Sequence, residues 1–393
     1  MDIAILGAGV AGTSAALALW QQGHRVRVYE RRSAPVTMGA GLVLWPNASF
    51  VLSALDVLSD IAAVSGRPQK MLRLDQVGNP LGQIDIRLLE QLMGYPTYSI
   101  LRRDLQSVLL KQLFLCGIEV VYGCSARAIK PGPNGKSTVC FDIGPSICPD
   151  LIIGADGRKN SVARQYVAGD SLPVYQGFVN WIGVADAPSS IVDEVSISDY
   201  WGSGERFGLV AVNPRKVYWA AAQADANEYD TAEAAPKQLV QDLFCSWPAP
   251  IGNIICHTDA SAIRKIRVYD LDPLSIWHRD NVLLIGDAAH APLPTSGQGA
   301  CQALEDAWQL ASCLAKHDAD LSTALATFTQ VRSTKTAMIT EQARVFARAL
   351  FSTDPEACRI RNERAKAADP NMSVRAMADS WGATLPLTSS KST

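Results

Sequence analysis

The first thirty residues constrain this chain most. Residues 2–6 form an apolar run of strand length, and Gly7-Ala8-Gly9-Val10-Ala11-Gly12 follows at once, leading into a helical pattern over 14–22. A second strand pattern, 25–29, ends in Glu30, 18 residues past Gly12. Alone, G-x-G-x-x-G fits any glycine turn that packs a helix on a strand. In this setting it predicts the start of an α/β, Rossmann-like parallel sheet. The glycines open the backbone to a pyrophosphate, and the acid stands at the spacing that reaches an adenosine ribose. A carboxylate suits an unphosphorylated ribose, so the spacing points to FAD or NAD rather than NADP.

A second stretch, 282–307, makes a more specific functional claim. Its first four residues are apolar and read as a short buried strand. That strand stops at Gly286-Asp287, placing a carboxylate at a strand's C-terminal tip, where α/β sheets hold ligands. The loop with Pro292, Pro294, Gly297 and Gly299 feeds a helix whose apolar positions recur at Ala303, Leu304, Ala307, Leu310, Ala311 and Leu314. A glycine-lined helix start offers free N–H groups and a positive dipole end to negative charge. Leu151-Ile152-Ile153-Gly154-Ala155-Asp156-Gly157 repeats the strand, glycine and aspartate order, with Ser161, Val162 and Arg164 continuing into a short helix.

Other segments carry a double reading. Met38-Gly39-Ala40-Gly41 with the apolar 42–44 lets backbone approach a flat ligand, or simply connects to a helix capped by Asn47 or Ser49. Arg102 and Arg103 open a helix at its positive end, which points to a phosphate or carboxylate partner; a solvated basic pair fits as well. Residues 71–85 alternate around Gly78-Asn79-Pro80, predicting a hairpin outside the nucleotide domain. From 173 to 268 the strand patterns 178–185, 195–201, 206–212 and 217–222, with one helix at 235–246, predict an inserted antiparallel sheet with one buried face. Trp181, Tyr200, Trp201, Phe207, Tyr218 and Trp219 are its pocket-wall candidates, most of them expected in the core.

A formal charge of −2 without a long basic run disfavours nucleic acid and anionic membrane as partners and leaves a small molecule. The nine cysteines show no C-x-x-C pair and no metal-ligand spacing, so they are expected to be reduced core residues in a soluble cytoplasmic protein. Residues 3–20 carry no charge, but three glycines and the acidic Asp2 argue against a signal peptide or membrane span.

Gly7-x-Gly9-x-x-Gly12 with Glu30, Gly154-Ala155-Asp156-Gly157 with Ser161 and Arg164, and Gly286-Asp287-Ala288-Ala289-His290 with Pro294 and Gly297-Gln298-Gly299 together resemble the single-component FAD-dependent aromatic hydroxylases, the group A flavoprotein monooxygenases. Trp45-Pro46-Asn47, Val179-Asn180-Trp181 and Gly204-Glu205-Arg206 are most similar to the urate hydroxylase branch, close to zeaxanthin epoxidase and salicylate hydroxylase. The resemblance implies FAD as cofactor, NADH or NADPH as co-substrate, and oxygen transfer through a flavin C4a-hydroperoxide to a small aromatic or heteroaromatic substrate. It implies a pyrophosphate cradle of Gly7, Gly9, Ala11 and Gly12, with Glu30 on the adenosine ribose and Arg31 beside it. Val43 would reach the flavin by its backbone, Arg102 the phosphate and ribityl region, Ala126 the adenine, and Asp287 the ribityl hydroxyls. Amides of Gly297, Gln298, Gly299 and Ala300 would meet the pyrimidine edge, and Asp156 and Gly157 both FAD and the nicotinamide donor. Pro294 would shape the oxygen pocket, with Arg206 and Tyr218 touching substrate. Thr295 stands where the urate hydroxylase carries an aspartate, which puts urate itself in doubt. No general base stands out among the five histidines; His290 is expected to make a structural hydrogen bond.

The expected organisation is a discontinuous FAD-binding domain (1–72, 98–172 and 268–345), a substrate-binding sheet domain (73–97 and 173–267), a C-terminal helical segment (346–384) and a disordered tail (385–393). The chain is expected to act as a monomer or homodimer without stable membrane insertion. A flavin dehydrogenase, reductase or epoxidase on the same fold, or a non-catalytic FAD-binding protein, would carry the same motifs.

Overall fold

The structure, a computed structural model, describes residues 1–35, 40–186, 196–227, 235–317 and 320–387. Met38 and Gly39 of the glycine loop, Val195 at an expected strand start and 388–393 of the tail lie outside them.

The chain begins β1 (Asp2–Leu6), α1 (Val10–Gln21), β2 (Arg25–Glu30), β3 (Gly41–Leu44), α2 (Pro46–Ala54), α3 (Leu58–Val64), β4 (Lys70–Asp75), β5 (Pro80–Asp85), α4 (Ile86–Met93), β6 (Tyr98–Leu101) and α5 (Arg102–Leu115). Next come β7 (Glu119–Tyr122), β8 (Ala126–Lys130), β9 (Thr138–Phe141), β10 (Leu151–Gly154), α6 (Val162–Ala168), β11 (Val174–Asp186), β12 (Ile197–Trp201), β13 (Glu205–Asn213) and β14 (Lys216–Ala224). It ends with α7 (Pro236–Phe244), α8 (Ile251–Cys256), β15 (Arg264–Asp270), β16 (His278–Arg279), β17 (Val282–Leu284), α9 (Gly299–Lys316), α10 (Leu321–Leu350), α11 (Pro355–Ala367) and α12 (Pro370–Gly382).

One sheet runs in the order β16-β17-β10-β1-β2-β7, parallel except for the edge strand β16. Its central strands are continuous apolar runs because both faces are covered, and Ile3, Ile5, Leu151, Ile152 and Ile153 are fully buried. The register pairs Leu6 with both Gly154 and Tyr29, and Gly154 with Leu284. Four strand ends therefore line one edge: the glycine turn after β1, Glu30 of β2, Asp156 after β10 and Asp287 after β17. Helix α1 starts at Val10, earlier than its apolar pattern, since Ala11, Gly12, Thr13 and Ser14 are small enough to bury against the sheet and α9.

The second sheet runs β15-β11-β14-β13-β12-β4-β5. It is mixed rather than purely antiparallel, because β12 pairs with β4 in parallel. One face packs Trp181, Phe207 and Trp219 against Phe244, Ile251 and Ile254 from and beside α7 and α8. The other packs Phe178 and Ala222 against Leu293 and, from α10, Ala343 and Ala347. Helix α11 packs on β5, and α12 on β5 and α4.

The cysteine expectation holds only in part. Cys140, Cys301, Cys313 and Cys358 are buried, Cys116 and Cys124 are half-buried, and Cys148, Cys245 and Cys256 are exposed; all nine are free thiols. Their positions follow loop and helix ends as much as the core. No helix among the described residues is long and apolar enough to cross a membrane.

Candidate active site

The glycine turn separates into packing positions and an open one. Gly7 has a φ of +111°, and a Cβ there would lie 2.3 Å from the Ala155 carbonyl oxygen. At Gly12 a Cβ would lie 1.9 Å from the Gly7 oxygen, so these two glycines let turn, helix and neighbouring strand touch. Gly9 is different: a Cβ there would meet no described atom within 4 Å. Gly9 caps α1 with no side-chain hydrogen bond and no acid in the first turn, so no side chain of the cap or the first turn neutralises the helix's positive end. Such an uncapped helix start beside a bare glycine fits a pyrophosphate. Glu30 is fixed by two backbone donors, Ala8 N to Oε2 and Arg32 N to Oε1, both 2.9 Å. Each oxygen keeps a lone pair for a ribose hydroxyl.

Around this turn, Gln106 on α5 donates to the Ala8 carbonyl at 2.5 Å. The sequence reading missed it, because a glutamine inside a helix carries no local signal of a distant backbone partner. Arg102 is exposed at the start of α5, its own N–H donating to the Ala40 carbonyl. Arg31 is exposed after β2, and Ala126 is half-buried at the start of β8. Val43 sits on the ribbon of β3 and β6, paired with Ser99.

Asp287 is exposed on a 3₁₀ turn whose flanking residues, Gly286 and Ala288, are buried. Asp156 is held inward: it accepts from Ser161 Oγ at 2.5 Å and Ala163 N at 3.3 Å, and burial pushes its pKa up. Gly157 beside it, at φ +82°, opens onto space. Arg164 joins the two aspartate motifs, donating to the carbonyls of Ala288 and Ala289.

The loop before α9 is a 3₁₀ turn, Pro294–Ser296, followed by Gly297 in the left-handed region (φ +62°) and Gln298 as N-cap. The Gln298 side chain caps none of the helix N–H groups and Gly299 faces open space, the arrangement that accepts negative charge, whereas of the four amides expected there those of Gly297 and Gln298 already donate to Pro294 O and Ser296 Oγ. Pro294 is exposed at the head of the turn, and Thr295 Oγ1 is buried with no partner among the described residues.

Beneath the loop lies a buried charge network that the sequence reading also missed. Asp306 accepts from Gly286 N, His290 Nε2 and Arg332 Nε, each at 2.7 Å. Glu305 accepts from Arg332, Lys335, Asn47 and Gln302. His290 thus makes the structural hydrogen bond expected of it, and its ring stacks on Trp277.

Arg206 and Tyr218 share the face of the second sheet opposite Phe207 and Trp219. Arg206 Nε donates to Asp199 Oδ1 at 2.6 Å, while Trp201 Nε1 holds Asp199 Oδ2. Arg206 NH2 reaches back to 3.6 Å from where a Gly208 Cβ would stand. Tyr218 lies against β3: a Cβ on Gly41 would fall 2.5 Å from its Cγ. Burial pushes its phenol up to about 12, against the pull of Arg206. Arg206 pairs with Ala222, which Leu293 and α10 cover, and Val210 pairs with Tyr218, so the small pair Gly208 and Ala220 lies between the two. Of the other aromatics, Trp201 shares this face, whereas Trp181, Tyr200, Phe207 and Trp219 belong to the core under α7 and α8. Among the described residues no cluster of His, Cys, Asp or Glu could hold a metal.

A family profile described as "FAD binding domain" matches residues 1–343. The chain belongs to that family. It is 33% identical over 333 residues to aurachin C monooxygenase/isomerase of Stigmatella aurantiaca, covering 84% of this chain and 85% of the relative. It is 31% identical over 376 residues to 3-amino-4-hydroxybenzoate 2-monooxygenase of Streptomyces cremeus, covering 94% and 92%. The crystal structure of Klebsiella pneumoniae HpxO with FAD and uric acid is similar at a TM-score of 0.89 and 25% identity, covering 97% of this chain and 96% of that one. This member of the family is an FAD-dependent monooxygenase, and the open cradle at Gly9 and the uncapped start of α9 fit FAD.

Proposed function

We propose that the chain hydroxylates a small aromatic or heteroaromatic ring with NAD(P)H and O2, the ring lying by Gly208 and Ala220 between Arg206 and Tyr218. One observation carries this reading: Asp199 holds Arg206 through Nε, and the guanidinium's NH2 lies over the small residues Gly208 and Ala220. A planar substrate with an oxygen or carboxylate acceptor matches that geometry. FAD, when bound, supplies the electrons taken from NAD(P)H and the activation of O2.

The protein's part is positioning and shielding. Arg206 orients the ring, Tyr218 donates as a neutral phenol, and Thr295 Oγ1 offers a further polar contact at the loop. Pro294 rigidifies that loop. His290 is committed to Asp306, so a substrate activated by its own hydroxyl or amino group is favoured over one needing a base. We assign the six-stranded sheet and its helices to FAD and the seven-stranded sheet to substrate, with the first boundary at Lys70, where β4 begins. Nine free thiols support a cytoplasmic setting.

The test is anaerobic mixing of FAD-loaded protein with NADH or NADPH, with and without a panel of hydroxylated and amino aromatic and N-heteroaromatic compounds. Flavin bleaching accelerated by one compound class, followed by oxygen-18 from O2 in its product, supports the reading. Rapid reduction without any aromatic, and no oxygen in any product, replaces it with a reductase.

A further inference from the structure

The C-terminal helix α12 packs on α4 and on the edge strand β5, and along its length only Val374 is buried. Its last turn nevertheless reaches the flavin loop by two separate routes. In the first, the Trp381 ring packs on the Trp45 ring, with centroids 5.0 Å apart. Trp45 is buried, and its Nε1 donates to the Gly297 carbonyl at 3.1 Å. That indole also stands 3.3 Å from where a Gly297 Cβ would lie, so it is wedged between α12 and the loop.

In the second route, Lys335 on α10 spends all three of its ammonium protons. It donates to Trp381 O and Ala383 O, both at 2.7 Å, and to Glu305 Oε2 at 2.8 Å. Glu305 Oε1 in turn accepts from Asn47 and Gln302, and both of those amides also donate to Gln298 Oε1. The two routes leave from one helix turn and end on adjacent residues, Gly297 and Gln298. Asn47 Oδ1 and Gln298 Nε2 are buried with no partner among the described residues, so the amides at this end are not fully satisfied by the protein.

We propose that the last turn of α12, acting through Trp381 and Lys335, is a positioning element that sets the 297–300 loop against the flavin. The inference rests on reading that loop as the flavin's pyrimidine edge. A bond network anchored only within α9 would fix the helix. Anchoring it on a separate C-terminal helix makes the loop's alignment depend on how that helix docks. Free N–H groups at the start of α9 stabilise charge on reduced flavin only when aligned with it, so a displaced loop lowers the flavin's reduction potential.

The test uses the full-length protein with Trp381→Ala, Trp381→Phe and Lys335→Met. Trp381 is half-buried, so its truncation leaves the core intact, and circular dichroism confirms the fold; Lys335→Met reports on the second route where it folds. Expected for Trp381→Ala are about a tenfold weaker FAD Kd by flavin fluorescence, altered visible bands of the bound flavin and a lower midpoint potential. Trp381→Phe, which keeps a ring on Trp45, restores most of each. A Trp381→Ala protein with the wild-type potential and flavin spectrum overturns the proposal, whatever its Kd, because α12 then serves stability alone. Wild-type protein that takes up no FAD overturns this inference and the proposed function together.

Discussion

Alanine at two glycines three residues apart separates the fold of the nucleotide turn from its ligand site. At Gly12 a Cβ would stand 1.9 Å from the Gly7 oxygen and 3.1 Å from its carbon, backbone against backbone, so α1 and the turn must move apart. Overpacking of that kind costs about 1–3 kcal/mol, and the upper end applies because no flexible side chain can give way. At Gly9 the backbone is extended, φ −75° and ψ −176°, and alanine adopts it without strain. Losing a glycine N-cap costs about 0.5 kcal/mol, and the stiffer unfolded chain returns a similar amount. Gly9→Ala therefore leaves the apo protein's Tm within about 2 °C, while Gly12→Ala lowers it by several degrees.

The methyl group of Gly9→Ala instead occupies the cradle. Displacing a pyrophosphate removes one or two hydrogen bonds to a charged group, about 2–3 kcal/mol, or roughly 30- to 150-fold in FAD Kd. Thermal melts of both apo variants and FAD titrations followed by flavin fluorescence measure the two effects independently. Wild-type FAD affinity in Gly9→Ala refutes the placement of the pyrophosphate. An apo Tm lowered equally by both substitutions refutes the division of the glycines.

Three further outcomes are expected. Arg206→Met should raise KM about 10- to 100-fold, the worth of a charged hydrogen bond, and leave FAD Kd unchanged; an unaltered KM removes Arg206 from the substrate site. With a phenol pushed up to about 12, Tyr218 stays neutral through pH 10, so Tyr218→Phe should not reshape the kcat/KM profile between about pH 7 and 10. A basic limb that disappears in the variant contradicts this. Burial opposes the charge on Asp306, yet His290 and Arg332 hold its pKa below the usual carboxylate value. The stability it contributes is complete above its unfolded pKa of about 3.9 and is lost as pH falls through the lower folded value. Asp306→Asn should flatten that acid limb in urea midpoints and cost about 3–5 kcal/mol near neutrality, and an unchanged limb assigns the acid sensitivity elsewhere.

What the sequence made legible follows from how locally each demand arises. Gly7 and Gly12 are required by contacts within the turn and with the strand beside it, so their spacing between a strand and a helix was readable as a tight strand-to-helix turn. The hairpin of β4 and β5 was legible from its turn, but its seat beside β12 was not, because parallel pairing leaves no mark on residues so far apart in the chain. Arg206 came from resemblance; its partner Asp199 lies in the middle of the neighbouring strand β12, where a lone aspartate does not name its partner. The network under the 297–300 loop is the instructive case. Glu305 and Asp306 stand between Leu304 and Ala307 on the buried face of α9, where two adjacent carboxylates break the apolar pattern. Carboxylates in such positions require buried cations, which is a signal available from sequence. Which cations answer it is not, since Arg332 and Lys335 belong to another helix and are indistinguishable there from solvated charges until α10 is laid against α9.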